Sequence, residues 1–397
     1  MNEKLCGTPL TGEMLKSALA GVLPEAVEDL NAVSGERIGE GEGFMSNIVR
    51  VTLSWKRRMK NTELPRSVIV KMPTIERILE LLKDSDESVR KKVETSVHLD
   101  EMFRRESSAY RMLSKQLPEL PLARCYCTWD EENNAMSLLV LQDLTKVARS
   151  ADLVNGLTEG QLLNCVEAIA KLQAWSLVTK HDWKSFARHE SLLDNLFENV
   201  DSLITDLQKA VESYPSYFGF LDLKKIAAFM KDKEAFTKQL TSYREVMPDV
   251  LVHGDYKASN ILFKVDSGTN TASSQIAAII DWQLVHHGSF AEDLCYLMVF
   301  SVNIGLRRSK MRNVVRHYFQ QMKTLVPSIM DSISFDSVWH VFEKTMPWTT
   351  LFFAPFVLKI ILPACKNEPA SESIVLTSLA EGCKEAVRFF DISETAL

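Results

Sequence analysis

The sequence predicts an α+β protein of two parts: a sheet-rich front, residues 1–144, and a largely helical back, residues 145–397, with a cleft between them. Three observations lead there. Short alternating or β-branched runs such as "NIVRVTLSW", "SVIVKMP" and "SLLVLQDL" crowd the front. Long stretches with apolar residues at helical spacing fill the back. The 397 residues are 46% hydrophobic, enough for one large domain or two modest ones with real cores.

The elements read in order as follows. The first 30 or so residues look helical, an N-terminal arm. Glycines at 39, 41 and 43 then lead into a strand ending at Trp55, and Ser67 to Pro73 forms a second. From Ile75 to Lys115 the pattern turns helical, with charges four residues apart. "LARCYCTWD" and "AMSLLVLQDL" are two more strands around the turn-rich "EENNA", so the front reads strand, strand, helix, strand, strand. Thr158 and Gln161 form a capping box that opens a long helix. A helical insert follows at about 181–248, and "NILFKVD" and "QIAAIIDW" make a hairpin-like pair before further helices.

Charge and composition exclude several classes. Charged residues make up 25% and the formal net charge is -6, so no global basic field draws nucleic acid or anionic lipid. The N-terminus has no basic region followed by an apolar core, unlike a secretory signal. Met346 to Cys365 is strongly apolar, but Pro347, Pro355, Lys359 and Pro363 make it buried helix pieces rather than a membrane span. The seven cysteines form no framework, so free thiols in a reducing, cytoplasmic setting are expected. In an alternating strand Cys125 and Cys127 would share one face, which suits packing better than redox or metal chemistry.

The chemistry concentrates in "VHGDYKASN" and "IIDWQ". Carboxylates beside apolar strands are costly unless a cation holds them. Asp255 precedes Asn260 with four residues between, the spacing of the protein-kinase catalytic loop. There an aspartate orients an attacking hydroxyl and accepts its proton, and an asparagine offers a neutral oxygen to Mg²⁺. Asp281 ends an apolar strand and supplies a charged oxygen to the same metal, in the place of the Asp of Asp-Phe-Gly. In the front part Lys71 lies in the strand "VIVK", suited to neutralising phosphates, and Glu106 in "FRRESSAY" is its natural partner. Gly39, Gly41 and Gly43 let backbone amides approach phosphate, and Ser46 stands where a third glycine of the motif would fall. The backbone at Gln142 and Leu144, in the connector "LVLQDL", is placed to meet an adenine edge.

These residues together resemble the choline-kinase/aminoglycoside-phosphotransferase branch of the kinase fold, and more narrowly the CHK-kinase-like, or ecdysteroid-kinase-like, family. "GEGFMSNIVRV", "VIVK", "FRRESSAY", "LVLQDL", "VHGDYKASNILF" and "IIDWQ" occur in family order from Gly39 to Gln283. The resemblance implies a bilobal protein-kinase-like fold, ATP with Mg²⁺ as phosphoryl donor, and a small-molecule hydroxyl (steroid, choline-like, glycoside or xenobiotic conjugate) as acceptor. No nucleic acid, membrane span or obligate protein partner is expected. Three departures stand out: Glu40 and Glu42 interrupt the glycines, Ser46 replaces the third glycine, and Gln173 stands where relatives commonly have histidine.

Several residues have plainer readings. His253 fits a backbone hydrogen bond that shapes its loop, and Asp293 fits packing behind the loop or capping the helix near Ser289. Lys257 is open between a γ-phosphate contact and a solvated lysine. Adjacent His286 and His287 point apart, without metal spacing. The basic run Leu306 to His317 reads as a solvated helix face, and Trp348, Phe352, Phe353 and Phe356 as core. Gly254 stands where protein kinases carry an arginine, and helix resumes within twelve residues of Asp281, leaving no room for a long activation loop. A small acceptor is therefore expected. A catalytically weak nucleotide-binding protein and a protein kinase are the alternatives.

Overall fold

The computed structural model describes residues 1–24, 26–39, 45–56, 64–81, 83, 87, 90–91, 98–129, 136–151, 155–187, 190–358, 362 and 369–394. The chain divides into two units, Met1–Arg149 with Ala277–Gln283, and Ser150–Ile276 with Leu284–Leu397. The boundary expected at residue 144 thus lies a short way before the division. The segment 277–283 belongs with the first unit because the end of its strand is held there: the Ile279 N–H donates to the Pro121 carbonyl at 2.8 Å.

The first unit is built on a five-stranded sheet in the order β1-β2-β3-β5-β4. The strands are β1 Leu30–Arg37, β2 Ser46–Trp55, β3 Ser67–Pro73, β4 Cys125–Trp129 and β5 Leu138–Gln142. Each named neighbour pair is antiparallel. Alternation sorts side chains between the two faces. Val68, Val70 and Met72 of β3 join Val49, Val51, Leu138 and Val140 in one apolar cluster, while Lys71 points to the opposite face.

The N-terminal segment differs from the expected helical arm. Among its described residues only Gly12–Ala20 is α-helical, with Thr11 Oγ1 accepting from the Met14 N–H at 3.2 Å. Leu10, Leu15, Leu19, Ala26 and Val27 are buried in the same cluster as β2 and β3. This segment is one side of the core. Strand β1 was not expected either, because "LNAVSGER" is polar, buries only Leu30 and lies at the sheet edge.

One further expectation is corrected. A register shift between Cys125 and Cys127 pairs them with the adjacent residues Leu141 and Val140, so the bulge turns the thiols to opposite faces. Burial pushes Cys125 up to about 12 and Cys127 up to about 11, which leaves them protonated and inert at neutral pH. Among the described residues, the helical stretch expected over Ile75–Lys115 includes the helices Glu76–Leu81 and Leu99–Gln116. The latter buries Phe103, Glu106, Tyr110 and Leu113 along one side.

The second unit is mainly helical. The helix Glu159–Val178 opens on the complete capping box of Thr158 and Gln161. Strand β7, Val250–Val252, is fully buried and pairs with β10, His286–Gly288. Strand β8, Ile261–Val265, leads into a turn closed by the Asp266 N–H on the Thr271 carbonyl at 2.9 Å. The helix Phe335–Phe356 runs through Pro347 and Pro355, and shares an apolar cluster with Glu190–Ser213 and Pro369–Glu394. The basic run is a solvated face at Arg308, Arg312 and Arg316, and departs from that reading at Arg307. Arg307 is 0% exposed and its Nε meets Glu385 at 2.6 Å, while Lys310 and Arg312 pair with Glu159 and Asp336. Among the described residues no helix is long and apolar enough to cross a membrane.

Leu15 is fully buried between the N-terminal helix and the sheet. Leu15→Ala is expected to lower unfolding free energy by about 2–5 kcal/mol, read by urea denaturation. A change near zero would mean that the N-terminal segment is a detachable arm.

Candidate active site

Lys71 occupies the centre of the first unit's functional face. Its register opposite Ile48 and Leu139 fixes it between β2 and β5. Its Nζ meets Glu106 Oε1 and Oε2 at 2.9 and 2.8 Å, from the helix Leu99–Gln116. Asp281 Oδ1 approaches the same nitrogen at 2.5 Å. Burial alone would lower the Lys71 pKa, but the charges of Asp281 and Glu106 outweigh it and hold the ammonium above its ordinary value. Burial, with the nearby charge of Asp281, raises Glu106 despite its pairing with Lys71. One cation facing two carboxylates leaves an excess negative charge, and that excess suits a site built to receive a further cation.

Local backbone aims these groups. Asp281 has φ +68°, a left-handed conformation that few non-glycine residues adopt. Trp282 behind it is fully buried and donates its Nε1–H to the Ile279 carbonyl at 3.1 Å. Its backbone N–H donates to Glu106. A small recess beside Lys71 and Glu106 is lined by Ser46, Phe103, Leu139 and Gln283 among others. Gly39 has φ +70°, a left-handed conformation that glycine adopts readily. Gly41 and Gly43, and the acidic Glu40 and Glu42, lie outside the described residues.

The connector after β5 is partly committed to its own fold. The Gln142 N–H donates to the Arg124 carbonyl at 2.8 Å, and the Leu144 carbonyl accepts from the N–H groups of Val147 and Ala148. An adenine edge here would have to use the other backbone group of each residue.

In the second unit, buried β7 delivers the loop His253–Asn260. Gly254 has φ +83°, and a Cβ there would lie 2.4 Å from the Leu284 carbonyl oxygen, so no other residue fits. Asp293 accepts the His253 and Gly254 N–H groups at 2.9 and 3.0 Å, behind the loop. His253 Nδ1 accepts the Asp255 N–H at 3.3 Å, the loop-shaping contact its position suggested. Lys257 Nζ straddles the Asp255 carboxylate at 2.8 and 2.9 Å, a clamp that sequence reasoning had not singled out. Asn260 Nδ2 donates to Asp255 Oδ2 at 2.8 Å and to its carbonyl at 2.9 Å. That spends the amide nitrogen and leaves the carbonyl oxygen as the side-chain group suited to a hard cation.

The remaining singled-out residues are structural. His286 Nε2 meets Glu292 at 2.9 Å, and His287 Nδ1 meets Asp249 at 2.8 Å. Gln173 is fully buried, donates to the Phe290 carbonyl at 3.3 Å and accepts the Tyr318 hydroxyl. Its amide supplies both a donor and an acceptor there. Trp348 and Phe352 pack with Phe236 and Leu240, and Phe353 stacks edge-on against Tyr296.

Comparison with known proteins decides the family. The DUF1679 profile, described as "Uncharacterized oxidoreductase dhs-27", matches residues 31–383. The chain belongs to this family. Its relative of that name from Caenorhabditis elegans is 27% identical over 296 residues, 71% of this chain and 34% of that protein. "Uncharacterized kinase-like protein D1044.1", also from Caenorhabditis elegans, is 24% identical over 213 residues, 53% of each chain. The chain therefore spans about a third and about half of the curated relatives it matches. Among solved structures, choline kinase from Cryptosporidium parvum Iowa II superposes with a TM-score of 0.57 at 10% identity, covering 96% of this chain and 97% of that one. That likeness is one of fold. The chain thus has an α+β, protein-kinase-like fold, the one that the sequence resemblance to CHK and aminoglycoside-phosphotransferase kinases implied.

Asp293 gives a pH test of the loop's support. Burial raises its carboxyl from 3.8 to about 7, against the His253 and Gly254 donors. The folded state therefore holds this proton more tightly than the unfolded chain does. The contribution is complete at low pH and is lost as pH rises from 3.8 to about 7. Measured by urea unfolding, wild-type stability relative to Asp293→Asn is expected to fall over that window. A flat or rising difference would refute the assignment.

Proposed function

We propose that the protein is an ATP-dependent small-molecule kinase that transfers the γ-phosphate to an alcohol hydroxyl. The observation that carries this reading is the buried Lys71–Glu106 pair with Asp281 against the same ammonium. A lysine so held is a fixed positive charge for a nucleotide's phosphates. In this reading Asp255 positions the acceptor hydroxyl and takes its proton as the hydroxyl oxygen bonds to the γ-phosphorus, while the bond from that phosphorus to the β–γ bridging oxygen breaks and ADP leaves. Gly39, Gly41, Gly43 and Ser46 would let backbone amides approach the phosphates, and the connector at Gln142 and Leu144 would meet the base. Asn260 and Asp281 would hold Mg²⁺, which when bound neutralises charge on the transferring group. Their donor set, one amide oxygen and one carboxylate, fits a hard cation that keeps waters and phosphates.

A small acceptor is favoured over a protein. Gly254 takes the place of a phosphate-reading arginine, and the helix Ala291–Ser301 begins soon after Asp281. A cytoplasmic setting fits the six described cysteines, all unbridged. The word oxidoreductase belongs to a relative of which this chain covers 34%. The first unit's named strand pairs are antiparallel, unlike the parallel, doubly wound sheet that carries the common dinucleotide-binding fingerprint. A catalytically weak nucleotide-binding protein is the second reading, favoured by the Lys257 clamp over both oxygens of Asp255.

Incubation with ATP–Mg²⁺ and a metabolite extract, followed by mass spectrometry for species gaining one phosphate, tests transfer. Asp255→Asn is expected to keep ATP binding and to lose transfer by at least about 100-fold. Equal loss of both would make Asp255 structural. Asp281→Ala is expected to abolish the Mg²⁺-dependent part of the ATP thermal shift, and an undiminished shift would remove Asp281 from the metal site.

A further inference from the structure

The connector holds a carboxylate that neither metal binding nor proton transfer uses. Asp143 lies between Gln142 and Leu144, and its side chain is 3% exposed. Arg50 Nε donates to its Oδ2 at 2.8 Å and Ser67 Oγ to the same oxygen at 2.5 Å. Thr145 donates twice to Oδ1, from its N–H at 2.9 Å and its hydroxyl at 2.6 Å. A carboxylate has about four lone-pair sites, and the donors fill them. Burial opposes the charge, yet the donors of Ser67, Thr145 and Arg50 hold the carboxyl below its ordinary range.

The origins of these donors matter. Arg50 comes from β2, the strand that leaves the glycine segment. Ser67 opens β3, the strand of Lys71. Thr145 belongs to the turn that closes on the Leu144 carbonyl. One side chain thus joins the connector to the two strands that carry the phosphate-facing groups. Cohesion alone does not call for a charge, since buried ion pairs exchange for apolar contacts at little cost in stability. Charge-assisted hydrogen bonds add direction, and direction fixes a backbone.

We propose that Asp143 is a positioning residue for nucleotide binding, fixing the backbone of Gln142 and Leu144 against β2 and β3 so that the connector receives the base. This rests on the nucleotide reading above. Because Asp143 acts at the base end, its loss should weaken base binding and spare phosphate binding, whereas general loosening would weaken both.

The test uses the full chain and displacement of a fluorescent ATP analogue by two probes, adenosine and inorganic tripolyphosphate with Mg²⁺. Asp143→Asn keeps the size but places an N–H₂ among donors. It is expected to weaken adenosine about tenfold and tripolyphosphate less than about twofold. Equal weakening of both, or no change for adenosine, would overturn the proposal. If Asp143→Asn does not fold, Ser67→Ala and Thr145→Val each remove one hydroxyl bond, and the same split, about threefold against none, is required of them. Should the wild type fail to bind the ATP analogue, the nucleotide reading itself falls and this proposal with it. Wild-type binding with an unaltered adenosine response in the variants rejects this proposal alone.

Discussion

An ammonium buried in a protein interior must be matched by carboxylates or give up its proton. Lys71 is matched twice, by Glu106 and Asp281, and much of the first unit serves that arrangement. Strand β3 must alternate so that Val68, Val70 and Met72 enter the core while Lys71 faces the other way. The helix Leu99–Gln116 must bury Phe103 and Tyr110 to bring Glu106 within reach. Asp281 must take a left-handed backbone conformation, held by buried Trp282 and its bonds to Ile279 and Glu106. Strain of this kind persists only where the surroundings over-determine it, and it gathers at functional sites.

The second unit solves a related problem at Asp255 with the part-exposed Lys257 in place of a fully buried cation. Its loop His253–Asn260 turns at a glycine that admits no Cβ and hangs from the carboxylate of Asp293. Asp255 is then held from two sides, by Lys257 and by Asn260. A carboxylate so restrained has a fixed direction, which is what orienting a hydroxyl requires. The same restraint occupies the oxygens that would accept the proton, so Lys257 stands between the active and the weak readings of this protein.

Family and fold carry different weight. The match over residues 31–383 assigns the chain to a family whose described member is called an oxidoreductase, while another relative is called kinase-like. A fold shared with a choline kinase at 10% identity does not by itself transfer a substrate. What bears on function is the set of side chains: an ion pair, a restrained aspartate and an amide oxygen suited to a hard cation.

The sequence by itself determined the elements whose pattern is local. The alternation of "SVIVKMP" gave β3 its bounds, the Thr158 and Gln161 pair gave a helix start, and the Asp255–Asn260 spacing marked a loop. It also named Glu106 as the Lys71 partner, since a lone buried lysine needs a carboxylate. Only the tertiary structure decided what depends on distant neighbours. It turned the N-terminal arm into a wall of the core, made β1 a strand despite its polar composition, and put Cys125 and Cys127 on opposite faces through a bulge. It drew Arg307 inward to Glu385 and gathered Arg50, Ser67 and Thr145 around Asp143. The physical reason is common to all of these. Periodicity reports which face of an element is apolar, but the partner of a charge or the occupant of a sheet edge is chosen by chain brought from far away.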